Sequence, residues 1–337
     1  VKHLSIKDIA RLAGVAPSTV SFVVNGKHQE MRISEEMVKH IQAIIKKTGY
    51  IPNRAAASLR TGRTHVIGLI VEDIANAFFA SLAKSVESVA AKVGYRVVYG
   101  STENDDGKGN DLIQLLAKQV DGFLITPSTG MKAGVQALKK TRKPLVLIDR
   151  YFPDEEIPFA LVDNYGGVSQ ATEYLIEKNK KNIAFVNVAL DQVQMNERER
   201  AFVDVMSRRG LFHKKLLLRL PYYQDKTQYE PRIRSFLQKQ PGIDAIIFAT
   251  NYLGMFGIKA LKDLDIAIPG KVAVLSFDDT DLFRFSSPAI SVISQPVQEI
   301  AAQAMRLLLD QMNAGPKKKA ADEGVLVPPQ LILRNSV

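Results

Sequence analysis

Apolar positions along the first fifty residues keep a helical spacing. Ile6, Ile9, Ala10 and Ala13 fall on one face of a short helix. Ser5 precedes it, with Asp8 three positions on, a relative of the capping box. Gly14 follows, the residue that tolerates the left-handed turn at a helix end. Pro17 then sits at the first position of a second helix, Ser18 to Val24, which Asn25 and Gly26 stop. A third helix opens at Ser34, with Glu35 and Glu36 in its first turn and Lys46 and Lys47 in its last, each matching the helix dipole. Met37, Ile41, Ile44 and Ile45 form its apolar face, and Gly49 ends it. Two short helices joined by a tight glycine turn predict a helix-turn-helix.

After Val66 the pattern becomes an alternation of short apolar runs and longer amphipathic stretches. Strands are expected at Val66 to Val71, Tyr95 to Tyr99, Gly122 to Ile125 and Leu145 to Ile148. Helices are expected at Phe78 to Val93, Leu112 to Lys118 and Ala133 to Lys140. A second set of strands runs through Ile183 to Val188, Leu216 to Leu220, Ala245 to Ala249 and Val272 to Leu275. Such alternation implies parallel sheets covered on both faces. Two similar α/β lobes suggest a hinged pair with a ligand at the carboxyl ends of the strands.

Charge sharpens the division. The 337-residue chain carries a formal +10. Residues 1–62 hold six Lys and four Arg against Asp8, Glu30, Glu35 and Glu36, so six of those ten charges sit on the helical module. A basic surface releases counterions from phosphates, and in a helix-turn-helix the second helix enters the major groove with its early residues at base edges. The module therefore predicts double-stranded DNA as a partner. Cysteine is absent, which excludes a disulfide framework and thiolate zinc sites. No apolar run reaches the roughly 18 residues of a membrane helix. The N-terminal segment lacks the apolar core of a secretory signal, so a cytoplasmic protein with no membrane partner is expected.

The residues themselves carry a family resemblance. Ile6-Lys7-Asp8-Ile9-Ala10 through Ala13-Gly14-Val15, then Ser18-Thr19-Val20-Ser21 and Val24-Asn25-Gly26, resemble the headpiece of the lactose-repressor/galactose-repressor (LacI/GalR) family. Ile33-Ser34-Glu35-Glu36, Gly49-Tyr50-Ile51-Pro52-Asn53 and Ala56 to Gly62 continue the match in family order. The resemblance extends over nearly the whole chain. It implies an all-α helix-turn-helix headpiece (1–52) and a hinge helix (53–62). It further implies a two-lobed, periplasmic-binding-protein-like α/β core with parallel sheets. The lobes are expected at 63–162 with 295–325, and at 163–294 with 326–337. Chain crossings are then expected near Val162, Ser294 and Val325.

The same resemblance implies a repressor whose operator affinity is set by a small molecule, expected to be a sugar or sugar derivative, bound between the lobes. DNA contacts are expected from Ser5, Pro17, Ser18, Thr19, Ser21, Phe22, Asn25, Tyr50, Asn53, Ala56, Leu59 and Arg60. Asn53 to Arg60 is helix-prone but too short to be stable alone. By resemblance it pairs with its equivalent in a second chain across the operator, with Leu59 as a minor-groove wedge; a passive Ala-rich linker is the alternative. At Phe22 many family members carry an arginine that grips guanine. Phe22 cannot donate, so its edge either meets a thymine methyl or packs on the headpiece core.

Effector contacts are expected from Asp73, Phe78, Asp149, Arg198, Tyr223, Asn251 and Asp278, most of which follow strands. Such residues supply forked donors and acceptors for vicinal hydroxyls, and an aromatic face for a ring. Two departures stand out. Tyr252 replaces the aspartate that usually follows Asn251, and Ser276 replaces a frequent glycine before Phe277 and Asp278. The loss at Tyr252 puts the usual hydroxyl pattern in question.

Other motifs are bland. Asp105-Asp106-Gly107 fits a turn before a helix, Gly166-Gly167 a helix start, and Lys317-Lys318-Lys319 a solvated loop. The five histidines have no metal spacing, and no nucleophile elbow or Walker loop is present. A transported-solute binding protein and an enzyme remain as the competing classes. The basic headpiece and the missing signal argue against the first, and only a generic fold favours the second. No cofactor, metal or catalysis is expected. A homodimer on a near-palindromic operator is expected, without a tetramer built on a C-terminal coiled coil, since the sequence has no leucine heptad there.

Overall fold

The computed structural model describes residues 4–51, 62–314 and 324–337. The hinge residues Asn53, Ala56, Leu59 and Arg60, and Lys317 to Lys319, lie outside the described residues. The chain divides into two compact units, Val1–Thr64 and His65–Val337.

The first unit holds α1 (Ile6–Ala13), α2 (Pro17–Val24) and α3 (Glu35–Thr48). Its ends are built by local chemistry. The Asp8 amide donates to the Ser5 hydroxyl at 3.3 Å and the Ser5 amide donates to the Asp8 carboxylate at 2.9 Å, a complete capping box. Gly14 ends α1 at φ 66° and Gly49 ends α3 at φ 64°, both in the left-handed region. Ile9, Ala10, Ala13, Val20, Val23, Val38, Ile41 and Tyr50 form the core of this small bundle. On α3 the deepest residues are Val38 and Ile41, with Met37, Ile44 and Ile45 packed beside them.

The second unit contains two sheets. The first lobe comprises β1 (Val66–Val71), α4 (Ala77–Lys92), β2 (Arg96–Ser101), α5 (Asp106–Leu116), β3 (Gly122–Ile125), α6 (Lys132–Lys140), β4 (Leu145–Ile148) and β5 (Phe159–Val162). The second comprises α7 (Asn164–Glu177), β6 (Ile183–Val188), α8 (Val193–Arg208), β7 (Leu217–Leu220), α9 (Tyr229–Lys239), β8 (Ala245–Phe248), α10 (Asn251–Asp263), β9 (Ala273–Phe277), α11 (Asp281–Phe285) and β10 (Ser291–Ser294). Then α12 (Val297–Asn313) returns to the first lobe, β11 (Gly324–Val327) joins its sheet, and β12 (Gln330–Ile332) joins the second.

Strand order is β2-β1-β3-β4-β5-β11 in one sheet and β7-β6-β8-β9-β10-β12 in the other, the same winding twice. Every described pairing is parallel except β10 with β12. The near-continuous apolar strands fit sheets buried on both faces. Carboxyl ends of the central strands are where doubly wound sheets place ligands.

Several elements differ from expectation. The helix expected from Leu112 begins at Asp106, because Asp105 caps it and Gly109 lets it approach Met131. Leu216 belongs to a 3₁₀ turn rather than to β7. β9 continues to Phe277, and β5 is a strand in its own right. The third crossing follows Val327 rather than Val325, since β11 pairs with β5 as far as Val162.

Candidate functional site

Between the sheets, the strand ends of both lobes converge. Asp149 follows β4 and Asp278 follows β9, equivalent positions in the two windings. Both adopt left-handed backbone, φ 64° and 68°, uncommon for non-glycine residues and a strain often found at binding sites. Asn251 opens α10. Gly254 and Gly257 let that helix lie against β8 and β9, where a Cβ would collide with Ser276 and the Phe248 ring. Arg198 projects from the second turn of α8 and is 2% exposed.

Neutral groups hold Arg198. Its Nε donates to Asn164 Oδ1 at 2.7 Å and its Nη1 to the Ala249 carbonyl at 2.7 Å. Its guanidinium lies 3.4 Å over the Phe277 ring. Gln295 donates from Nε2 to Asp278 Oδ1 at 2.7 Å. On the other lobe, Arg150 donates from Nε to Asp149 Oδ2 at 3.1 Å and from Nη1 to Asn104 Oδ1 at 3.1 Å, and it is also paired with Glu72. Three side-chain hydrogen bonds among the described residues cross between lobes: Asn251 Nδ2 donates to Asn76 Oδ1 at 2.9 Å, Gln192 Nε2 to Asn104 Oδ1 at 3.2 Å, and the Thr129 hydroxyl to the Asp191 carbonyl at 3.3 Å.

Burial dominates the electrostatics. Desolvation pushes the Asp149 carboxyl up to about 7, against the pull of Arg198 and with the push of Asp278. Asp278 is raised for the same reason, with Arg198 opposing. Burial lowers Arg198, and lowers Arg150 to about 10. The site is thus a desolvated cluster of forked acids and bases, equipped for polar groups that bridge the lobes.

Phe78, Asp149, Arg198, Asn251 and Asp278 all line this cleft. Asp73 and Tyr223 do not. Asp73 accepts from the Ala75 amide at 2.9 Å and shapes the turn after β1, while its neighbour Glu72 faces the cleft. Tyr223 packs edge-on against Tyr229, with Arg232 over its ring. The aromatic wall comes instead from Tyr252, which leans on Tyr229 at 5.5 Å and whose hydroxyl burial pushes well above its ordinary range. In the sequence Tyr252 stands out only as a lost aspartate. Its place beside Asn251 at the start of α10 was the available signal. Arg150, Gln192, Gln194 and Gln295 also line the cleft unannounced. Arg150 was findable as the neighbour of Asp149, and Gln295 as the residue just past β10.

In the headpiece, Pro17 and Ser18 are exposed at the start of α2 and Thr19 is half-buried. Phe22 is half-buried and is not among the residues packed on the apolar cluster. Ser21 and Asn25 engage each other at the end of α2, where Asn25 Nδ2 donates to the Ser21 carbonyl at 2.7 Å. The Ser5 hydroxyl serves the α1 cap. Tyr50 is 8% exposed and part of the core, so its ring is unavailable to a base edge.

Residues 5–53 match the model for bacterial regulatory proteins of the lacI family, and residues 172–337 the periplasmic binding protein-like domain. The chain is 30% identical to the HTH-type transcriptional regulator RegA of Clostridium saccharobutylicum, over 98% of each chain. The chain belongs to the LacI family of transcription regulators. Among solved structures, the regulator CelR in complex with cellobiose is 26% identical, with a TM-score of 0.73 over 99% of this chain and 100% of that one. The lac repressor dimer bound to operator and the anti-inducer ONPF has a TM-score of 0.85 over 99% of both chains, at 20% identity, and shows the fold alone. As a LacI-family member the chain is a DNA-binding regulator, and its paired α/β lobes are the family's periplasmic-binding-protein-like core.

Proposed function

We propose that this regulator binds a near-palindromic operator as a homodimer and that a carbohydrate in the cleft sets its DNA affinity. The observation that carries this reading is the meeting of Asp149 and Asn76 from one lobe with Arg198, Asn251 and Asp278 from the other around one buried cleft. A ligand that touches both lobes has different contacts in each lobe arrangement, and only such a difference shifts an equilibrium. Hydroxyl chemistry suits the residue set, and relatives supply context: CelR is seen with cellobiose, and another relative is a ribose operon repressor. The lac repressor is seen as a dimer on operator DNA. The reading makes the chain a regulator rather than an enzyme, acting in the cytoplasm where the DNA is.

On the DNA side, Pro17, Ser18, Thr19 and Phe22 form the reading edge of α2, with Ser5, Ser21, Asn25 and the backbone at Tyr50 placing it on phosphates. Asn53, Ala56, Leu59 and Arg60 then act at the operator centre. The partial exposure of Phe22 outside the headpiece core favours base contact over packing. Selection from random DNA tests it. Phe22→Arg is expected to impose a guanine in the half-site, worth about 1–3 kcal/mol of discrimination. An unchanged selected half-site would remove residue 22 from the interface.

A further inference from the structure

The cleft has two chambers. The inner one, framed by Asp149, Arg198, Asn251 and Asp278, encloses about 40 Å³, room on the order of one or two water molecules. Beside it, between the loop after β4 and the first turns of α8, lies a cavity of about 470 Å³, within the roughly 300–1,000 Å³ of small-molecule pockets. Arg150 and Gln192 line both chambers. They form the partition, one from each lobe, tied together through Asn104 Oδ1.

Polar capacity is left over at this partition. Gln194 lines the inner chamber at 2% exposure, and its Oε1 has no partner. The Asn104 Nδ2 behind the partition has none either. Buried groups of this kind are ordinarily satisfied, and one acceptor plus one donor matches what hydroxyl groups offer.

Charge then narrows the class. In the outer chamber Lys132, Arg150 and Arg200 face Asp154, Asp191 and Glu197, three against three. In the inner chamber Arg150 and Arg198 face Glu72, Asp149 and Asp278. Lys132 is already paired with Asp154, and Arg150 with Glu72 and Asp149. Basic side chains do not outnumber acidic ones in either chamber, a lining that does not favour a phosphate or carboxylate over hydroxyl groups. The outer wall instead offers the half-buried ring of Tyr151, a face suited to the apolar side of a sugar, with Phe152 packed in the core behind it.

We infer that the effector is a neutral saccharide of at least two rings, one ring held in the inner chamber and the next lying past Arg150 and Gln192 in the outer chamber. This rests on the reading of the cleft as the effector site. Entry of the first ring parts the lobes at the Asn76–Asn251 and Asn104–Gln192 hydrogen bonds, and the second ring lies where Thr129 donates to Asp191, which couples saccharide length to lobe arrangement.

Titration calorimetry of the full chain tests it with cellobiose, maltose, lactose, sucrose and trehalose, each against its monosaccharides, and with glucose 6-phosphate and gluconate. At least one disaccharide is expected to bind about 100-fold tighter than its monosaccharides. Two substitutions that plug the outer chamber from opposite lobes, Thr129→Trp and Asn196→Trp, are expected to collapse that ratio at least tenfold. Both positions are exposed, and melting curves verify folding. The inference is overturned if every disaccharide is silent, if a monosaccharide, the phosphate or the acid binds tightest, or if both plugs leave the ratio intact. Asp278→Ala separates this from the parent reading. If a bound sugar survives that change at full affinity, the cleft itself is not the site.

Discussion

The two lobes place an aspartate at the same point of the same winding, yet they fix their charges differently. In the second lobe Arg198 is held by an amide oxygen, a carbonyl and an aromatic face, and Asp278 by an amide nitrogen. None of those partners neutralises a charge. In the first lobe Arg150 is bracketed by Asp149 and Glu72, so its charge is spent inside the protein. On the proposed reading the difference assigns separate tasks: the second lobe keeps ionic hydrogen-bonding capacity for a ligand, whereas the first lobe uses its ions to hold the strand ends together and presents the partition side chain. A buried pair already matched this way is costly to break and adds little to recognition.

The comparison is broken most severely in the second lobe. Arg198→Ala or Asp278→Asn is expected to weaken saccharide binding by about 100-fold or more while operator affinity stays within about twofold, since a lost charge-assisted contact in a desolvated site exceeds 2 kcal/mol. Calorimetry and fluorescence anisotropy on DNA check the two halves of that statement. A variant with normal sugar affinity would show that the second lobe does not carry recognition.

In the first lobe the large effect falls on stability. Arg150→Met leaves Glu72 buried without its cation and Asp149 without its donor, at a cost of about 3–5 kcal/mol in urea unfolding of the core transition. A loss below about 1 kcal/mol would remove the structural role assigned to this pair.

Acidity gives a finer contrast. Folding raises Asp149 from 3.8 to about 7, so the folded chain holds a proton that the unfolded chain releases across that interval. Stability from this group is therefore present at low pH and falls as pH rises from about 4 to 7, then levels. Asp149→Asn is expected to flatten that slope between pH 5 and 7.5 in thermal or urea unfolding. An identical slope in both proteins would mean that Asp149 does not titrate there. The smallest effect belongs to Tyr252→Ala, which removes one ring face and is expected to cost about 0.5–1.5 kcal/mol of sugar affinity.

Legibility followed the range of the forces. Headpiece helices were readable to the residue because Ser5, Asp8, Gly14, Pro17, Ser34 and Gly49 act within one turn of where they stand. Strand runs such as Val66–Val71 and Ile183–Val188 were equally plain, the first without a polar side chain and the second with Asn187 alone. What stayed hidden depended on distant partners. The early start of α5 needs Gly109 against Met131, and the third crossing needs β11 beside β5. In the site, residues directly after strands were found by position. Choosing Tyr252 over Tyr223, or Glu72 over Asp73, requires knowing which way a side chain turns once Tyr229 and the β1 turn are in place.

Operator affinity measured with and without saccharide, in wild type and Asp278→Asn side by side, tests the central claim most directly. Fluorescence anisotropy on DNA selected by the full chain supplies the reading, with the tightest-binding disaccharide of the calorimetric panel as effector. The account predicts equal operator affinity for the two proteins without sugar, a shift of about tenfold or more for wild type with sugar, and less than about twofold for the variant. Equal shifts in both proteins, or none in wild type at saturating sugar, would contradict it.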